Sequence, residues 1–192
     1  MPGLIPWGIW AASKSTAAAG GTDYQLISTT VLGSTSPNVT FSVTGLGSTY
    51  KHLQIRYTGR ADYTNTQSVN LRLNGDSGSN YAIHSLGGGG SSTFTDTSAS
   101  QTQMIGFLGG LPGTNQGSNI FESGVLDFLD PFSTSKYKTI RSLNGTSGNV
   151  TNNIRLNSGL WMNTNAVTSI VLSTQNGNFI AGSRFSLYGL VG

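Results

Sequence analysis

The residues able to do acid–base or metal chemistry are few. The carboxylates are Asp23, Asp62, Asp76, Asp96, Glu122, Asp127 and Asp130, and the histidines are His52 and His84. A glycosidase needs two carboxyl groups at a fixed separation across a cleft. Asp127 and Asp130 are three apart, and Glu122 and Asp127 five apart, so each pair falls on opposite faces of an extended strand. Only distant strands could bring acids together. The competing expectation for Asp127 or Asp130 is a charge pair with Lys136, Lys138 or Arg141, or a loop cap. The histidines stand alone on polar stretches, short of the three or four ligands a metal site takes. With no cysteine, disulfides, thiolate metal sites and cysteine nucleophiles are excluded. There is no G-x-S-x-G elbow. The run Gly87 to Gly90 lacks the Lys and Ser/Thr of a phosphate-binding loop. Asn74, Asp76 and Ser79 offer one carboxylate to calcium, too few for a good site. Asn-x-Thr at Asn38, Asn144 and Asn149 reads as chance in a chain rich in both residues. Tyr57, Tyr63, Tyr81, Trp161 and Tyr188 could stack on sugars, with ordinary core and interface packing as the favoured explanation. The expectation is a protein without cofactor or catalysis.

The elements behind these residues are strands. Val39, Phe41 and Val43 alternate with polar residues, as do Leu53, Ile55 and Tyr57, then Val69, Leu71 and Leu73, and later Phe185 and Leu187. Val150, Ile154 and Leu156 give a similar pattern. Period two places each set on one face of an antiparallel sheet, here read as the core face. Ile120 to Leu129 is apolar on both faces, which predicts a central strand or one buried against another subunit. Asn74-Gly75, Asn144-Gly145 and Asn176-Gly177 tolerate positive φ and predict tight turns. Asp130-Pro131 and Leu111-Pro112-Gly113 predict strand ends. Gly87 to Thr102 shows no period and predicts a long polar loop. Nine to eleven strands and no helix predict an all-β fold, an antiparallel β-sandwich of jelly-roll type.

Residues 1–22 differ from residues 23–192. Leu4, Ile5, Trp7, Ile9 and Trp10 make a short apolar stretch punctuated by Pro2 and Pro6, followed by Ala, Ser and Gly. This predicts an N-terminal arm and linker ahead of one domain. The stretch lacks a cationic start and a continuous apolar run, so a secretory signal is not expected. Burying one Trp is worth about 2 to 3 kcal/mol, which favours docking of the arm, either on its own domain or, the sharper reading, on a neighbouring subunit or partner. Only 9% of the 192 residues are charged, with a net charge of +3. That composition is wrong for coiled coils and helix bundles. The ten Lys and Arg are scattered, so no nucleic-acid face is expected. No apolar run approaches the roughly 20 residues of a membrane span.

The stretches Tyr24–Leu32, Thr49–Arg56, Leu71–Asp76 with Ser79–Ala82, Ser158–Trp161 and Gly177–Gly189 resemble small structural proteins of tailed-phage virions. The resemblance spans residues 23 to 190. It implies a β-sandwich or jelly-roll body, commonly assembled as a homotrimer, with no catalytic residues. It covers head decoration (cement) proteins and tail-fibre or receptor-binding modules. The first expectation is a decoration protein bridging the major capsid protein or another virion protein. Leu4, Ile5, Trp7, Ile9 and Trp10 would anchor it, and Arg56, Arg60, Arg72 and Arg155 would make subunit or capsid contacts. The alternative is a receptor-binding module, with Tyr63 and Trp161 as glycan contacts.

Overall fold

A computed structural model describes residues 23–148 and 152–192. The arm residues and Val150 lie outside the described residues. Twelve strands run in the order β1 (Tyr24–Val31), β2 (Asn38–Ser42), β3 (His52–Gly59), β4 (Gln67–Leu73), β5 (Tyr81–Gly89), β6 (Ser92–Gln101), β7 (Met104–Leu111), β8 (Glu122–Leu129), β9 (Lys138–Ser147), β10 (Asn152–Trp161), β11 (Ser169–Thr174) and β12 (Arg184–Leu190). They form two antiparallel sheets packed as a sandwich. The large sheet has the order β1-β12-β3-β8-β9-β10-β5-β6, and the small one β2-β11-β4-β7.

The pairs β1·β12, β2·β11, β3·β8 and β4·β7 are nested, as if one long hairpin had been rolled up. Two further hairpins, β5–β6 and β9–β10, leave this plan. They join each other through β10·β5 and widen the large sheet on one side.

The core follows the alternation read from sequence. Val39, Phe41, Val43, Leu53, Ile55, Tyr57, Val69, Leu71, Leu73, Phe185 and Leu187 are buried between the sheets. β8 is a central strand, flanked by β3 and β9, which accounts for its apolar character. Asn74 and Gly75 take φ of 53° and 66° in the turn after β4, and Gly177 takes 68° in the turn after β11, as their sequence predicts.

Two expectations are corrected. Residues 87 to 102 are not a loop. They complete the β5–β6 hairpin, which turns at Gly90. No residue of β6 is fully buried, because β6 is the sheet edge beyond the cover of the small sheet. A strand wet on both faces has no hydrophobic period to read. Asn144-Gly145 is not a turn either; it lies inside β9. Among the described residues the strands number twelve, above the expected range, and β6 supplies the difference.

Arg60 ties the sandwich to its longest covered loop. It is buried, and its guanidinium donates to the carbonyls of Gly113, Gln116, Gly117 and Ile120 at 2.6 to 3.0 Å. It therefore holds the β7–β8 connection rather than an external partner. Arg60→Ala removes the shared donor of four carbonyls and should cost about 3 kcal/mol. Urea denaturation measures it; a loss under about 1 kcal/mol would show that the connection is held by other contacts.

Candidate functional site

One half of the large sheet has its polarity reversed. The alternation in β10 predicts Ile154 and Leu156 on the core face. They are instead 58% and 53% exposed, while Asn157 is buried. Alternation fixes which residues share a face, but not which face is covered.

The reversal extends across four strands. Leu86 of β5 pairs with Leu156 of β10, Leu156 with Leu143 of β9, and Leu143 with Val125 of β8. Directly paired residues share a face, so these four side chains form one row on the outer surface. Ile154 lies two residues along β10 on the same face. Beside the row is a groove of about 640 Å³ whose lining includes Arg56, Ser123, Val125, Leu143, Gly145 and Ile154. A side chain at Gly145 would press on the Asn153 carbonyl and Ile154, so this position lowers the groove floor.

The inner face of the same strands is polar. Asn144 Nδ2 donates to Glu122 Oε1 at 2.5 Å and to the Gly109 carbonyl of β7 at 2.7 Å. Asn157 Nδ2 donates to Ser142 Oγ at 2.8 Å and to Asn144 Oδ1 at 3.3 Å. The Ser142 hydroxyl donates to the Phe107 carbonyl of β7 at 3.1 Å. The network therefore stitches the edge of the small sheet to β9 and β10. Small residues make the approach possible. A Cβ at Gly109 would strike the Arg155 guanidinium at 2.9 Å, and one at Gly124 the Tyr57 ring at 2.5 Å.

Glu122 is fully buried. Burial raises its pKa to about 7; Asn144, Tyr57 and the Arg155 charge offset part of that rise. Burial also pushes the Tyr57 hydroxyl well above its usual value, and the nearby Glu122 adds to it. The Tyr57 hydroxyl faces the Glu122 carboxyl, while Arg155 Nε and Asn157 Oδ1 are left without a well-formed hydrogen bond. The layer is costly, and its carboxyl is held close to its protonation midpoint at neutral pH.

The residues singled out from sequence are dispersed. Arg56 is exposed on the outer face, with its guanidinium 5.0 Å from the Tyr24 ring and 5.2 Å from the Tyr188 ring. It also donates to Gln54 at 2.9 Å. Arg72 donates to Gln103 at 3.1 Å on the small sheet. Arg155 is turned inward, 4.6 Å over the Phe94 ring. Tyr63 is 43% exposed. Trp161 is buried, stacked on Tyr81, and its indole N–H donates to Asp76 at 2.7 Å, so its ring is not presented to a sugar. Leu4, Ile5, Trp7, Ile9 and Trp10 lie outside the described residues.

The acids behave as parity suggested. Glu122 faces in, and Asp127 faces out, where it accepts from Gln54 at 2.7 Å. Asp130 pairs with Lys136 and lies 3.7 Å from Lys51. Asp76 accepts from Gly78, Asn80 and Trp161, and these bonds hold its pKa below the usual value against burial. Among the described residues no three His, Asp or Glu side chains gather as a metal site, and no helix is long and apolar enough to cross a membrane. Sequence reasoning missed Glu122, Asn144 and Asn157. The available signal was that Ser142, Asn144 and Thr146 share one parity of β9 while Leu143 holds the other.

No protein-family model matches the chain, and neither the curated proteins nor the solved structures include a significant match to it.

The Glu122 proton gives a measurable consequence. The folded chain holds it more tightly than the unfolded chain, whose carboxyl titrates near 4.5. Its contribution to stability is thus fully present below pH 4.5, falls as pH rises toward 7 and levels off above. The total fall should be about 3 kcal/mol. Chemical denaturation between pH 4.5 and 8.5 should show this slope in the wild type and a flatter one in Glu122→Gln. Equal slopes would mean that Glu122 is not the titrating group.

Proposed function

We propose that this chain is a structural subunit of a phage particle, a head decoration (cement) protein that docks through the outer face of its large sheet. The carrying observation is the row Leu86, Leu156, Leu143 and Val125 with Ile154 beside it. Contiguous apolar surface of this kind marks interaction sites on folded proteins. Its partners are other copies of the chain, as a homotrimer, and the major capsid protein or another virion protein. The role is mechanical: binding an assembled lattice and not its separated parts stabilises the lattice by mass action. This reading assigns no catalytic step, no cofactor, no nucleic acid and no membrane.

Two further points support it. The nested strand pairs are compatible with a jelly-roll plan carrying two added hairpins, and jelly rolls recur in viral capsid proteins and in lectins. That support is an analogy of fold, which does not carry function by itself. Second, the motifs along residues 23 to 190 resemble phage structural proteins. The alternative, a receptor-binding module for host glycan, draws on a different observation. Tyr24 and Tyr188 stack with centroids 4.9 Å apart beside Arg56, Gln54 and Asp127, an aromatic and polar group suited to a sugar.

The test is location and copy number in purified particles. A decoration protein should be present in hundreds of copies on the head, and a fibre module in tens or fewer at the tail. In the same particles Leu143→Asp should weaken attachment at least tenfold, since docking would bury an unpaired carboxylate against apolar neighbours. Normal attachment of a folded Leu143→Asp chain would remove the outer face from the docking surface.

A further inference from the structure

We infer that Arg155 is a proton-controlled tether of the β6 edge. It rests on Phe94 while Glu122 holds its proton, and it swings to the Glu122 carboxylate when the proton leaves.

One cross-strand row joins the two places. Tyr57 of β3 pairs with Gly124 of β8, Gly124 with Asn144 of β9, and Asn144 with Arg155 of β10. Arg155 pairs with Gly87 of β5, and Gly87 with Phe94 of β6. Directly paired residues share a face, so this row crosses the inner side of the large sheet from the buried core to its wet edge. A Cβ at Gly87 would strike the Phe94 ring at 2.2 Å, so the ring leans over that glycine toward Arg155. The guanidinium lies 4.6 Å from the ring centre. Every other residue of β6 is Ser, Thr, Asp, Ala or Gln. Phe94 is therefore the one large apolar side chain by which β6 holds to the sheet, and Arg155 clamps it.

Glu122 is within reach of the same guanidinium. Asn144 Nδ2 donates to both Glu122 Oε1 and the Gly109 carbonyl, and a Cβ at Gly109 would meet Arg155 at 2.9 Å. The guanidinium is thus one hydrogen-bonded group away from the carboxyl. Glu122 lies two residues along β8 from Gly124, with β9 between it and β10. Strand spacing and rise then put the Arg155 and Glu122 Cα atoms about 12 Å apart, a span that the two side chains can bridge. Over Phe94, Arg155 Nε has no hydrogen-bond partner. A carboxylate accepts a bidentate pair from a guanidinium, and a protonated carboxyl cannot. The ring and the carboxylate compete for Arg155, and the proton decides between them.

The surrounding charges leave Arg155 as the cation that answers Glu122. β3 presents Tyr57, β9 presents Ser142, Asn144 and Thr146, and β7 carries no charged residue. Lys138 shares the Asn144 face at the far end of β9, where it donates to the carbonyls of Lys136, Asn163 and Thr164. Asp127 and Arg141 pair with each other on the outer face. β5 presents Ser85 and Gly87 inward and His84 outward. Asp96 lies two residues from Phe94 on the same face of β6, exposed, and is the competing anion. Burial sets the Glu122 midpoint at about 7, so the swing falls in the neutral range. For such a midpoint the ionised fraction rises about tenfold between pH 6 and pH 8.

The test follows the phenylalanine rings of the full-length chain, carbon-13 labelled, by NMR from pH 5.5 to 8.5, with Phe94 assigned from Phe94→Leu. The Phe94 signal should titrate with a midpoint near 7. The fraction at its alkaline position should rise about tenfold between pH 6 and pH 8. Glu122→Gln should hold the signal at its acid position at every pH, and Arg155→Gln should hold it at the alkaline one. The exposed replacements Asp96→Asn and His84→Gln should leave the titration as it is. They keep the test decisive if a variant in the buried layer does not fold, which circular dichroism reports. A Phe94 signal that stays constant across this range overturns the inference. So does a titration that survives Glu122→Gln or Arg155→Gln, or one that disappears with Asp96→Asn or His84→Gln.

Discussion

A four-stranded sheet cannot cover an eight-stranded one, and this mismatch organises the molecule. Where β2, β11, β4 and β7 face the large sheet, the core is apolar and the sandwich is conventional. β7 is the last strand of cover, packing over β9, β10 and β5. Beyond it β6 is wet on both faces. The two added hairpins therefore sit at the margin of the core, where neither face is fully committed to burial.

At that margin the seam is held by hydrogen bonds rather than by hydrocarbon. Ser142 and Asn144 reach the carbonyls of Phe107 and Gly109, and Glu122 and Asn157 complete the layer. Directional bonds fix how β7 seats on the large sheet, which a greasy seam would leave free to slide. The cost is a desolvated carboxyl, with Arg155 Nε and Asn157 Oδ1 left unsatisfied beside it. Glycine at 124 is a condition of the arrangement, because a side chain there would collide with the buried Tyr57 ring and the Asn144 Cβ.

Period two then dictates the outer surface. If the polar residues of β9 and β10 point inward, their apolar neighbours must point outward. Leu143, Leu156, Ile154 and Leu86 are thus exposed as a consequence of the buried layer; the register pairs the three leucines directly, and Ile154 follows on the same face of β10. This is the face on which the proposed docking relies. On that proposal the buried layer around Glu122 and the docking surface are two sides of the same strands, those of the added hairpins.

The class of fold, most of the core and many of the turns are legible in the residues alone. Val39, Phe41, Val43, Leu53, Ile55 and Leu71 could alternate in one way only, and Asn74-Gly75 had the backbone freedom its turn uses. Parity also separates Glu122 from Asp127. The rest depends on contacts between distant segments. Whether Leu156 or Asn157 faced the core depended on what β7 would bring against β10, and β7 is some fifty residues away in the chain. Asn144-Gly145 looked like a turn because local conformation permits one; its long-range bonds to Glu122 and Gly109 made it strand instead. Trp161 offered the same ring to a sugar or to a core, and stacking on Tyr81 settled it. Local sequence sets periodicity and backbone freedom, but the free energy of burial belongs to contacts between distant segments. The inward face was therefore fixed only when the two sheets closed.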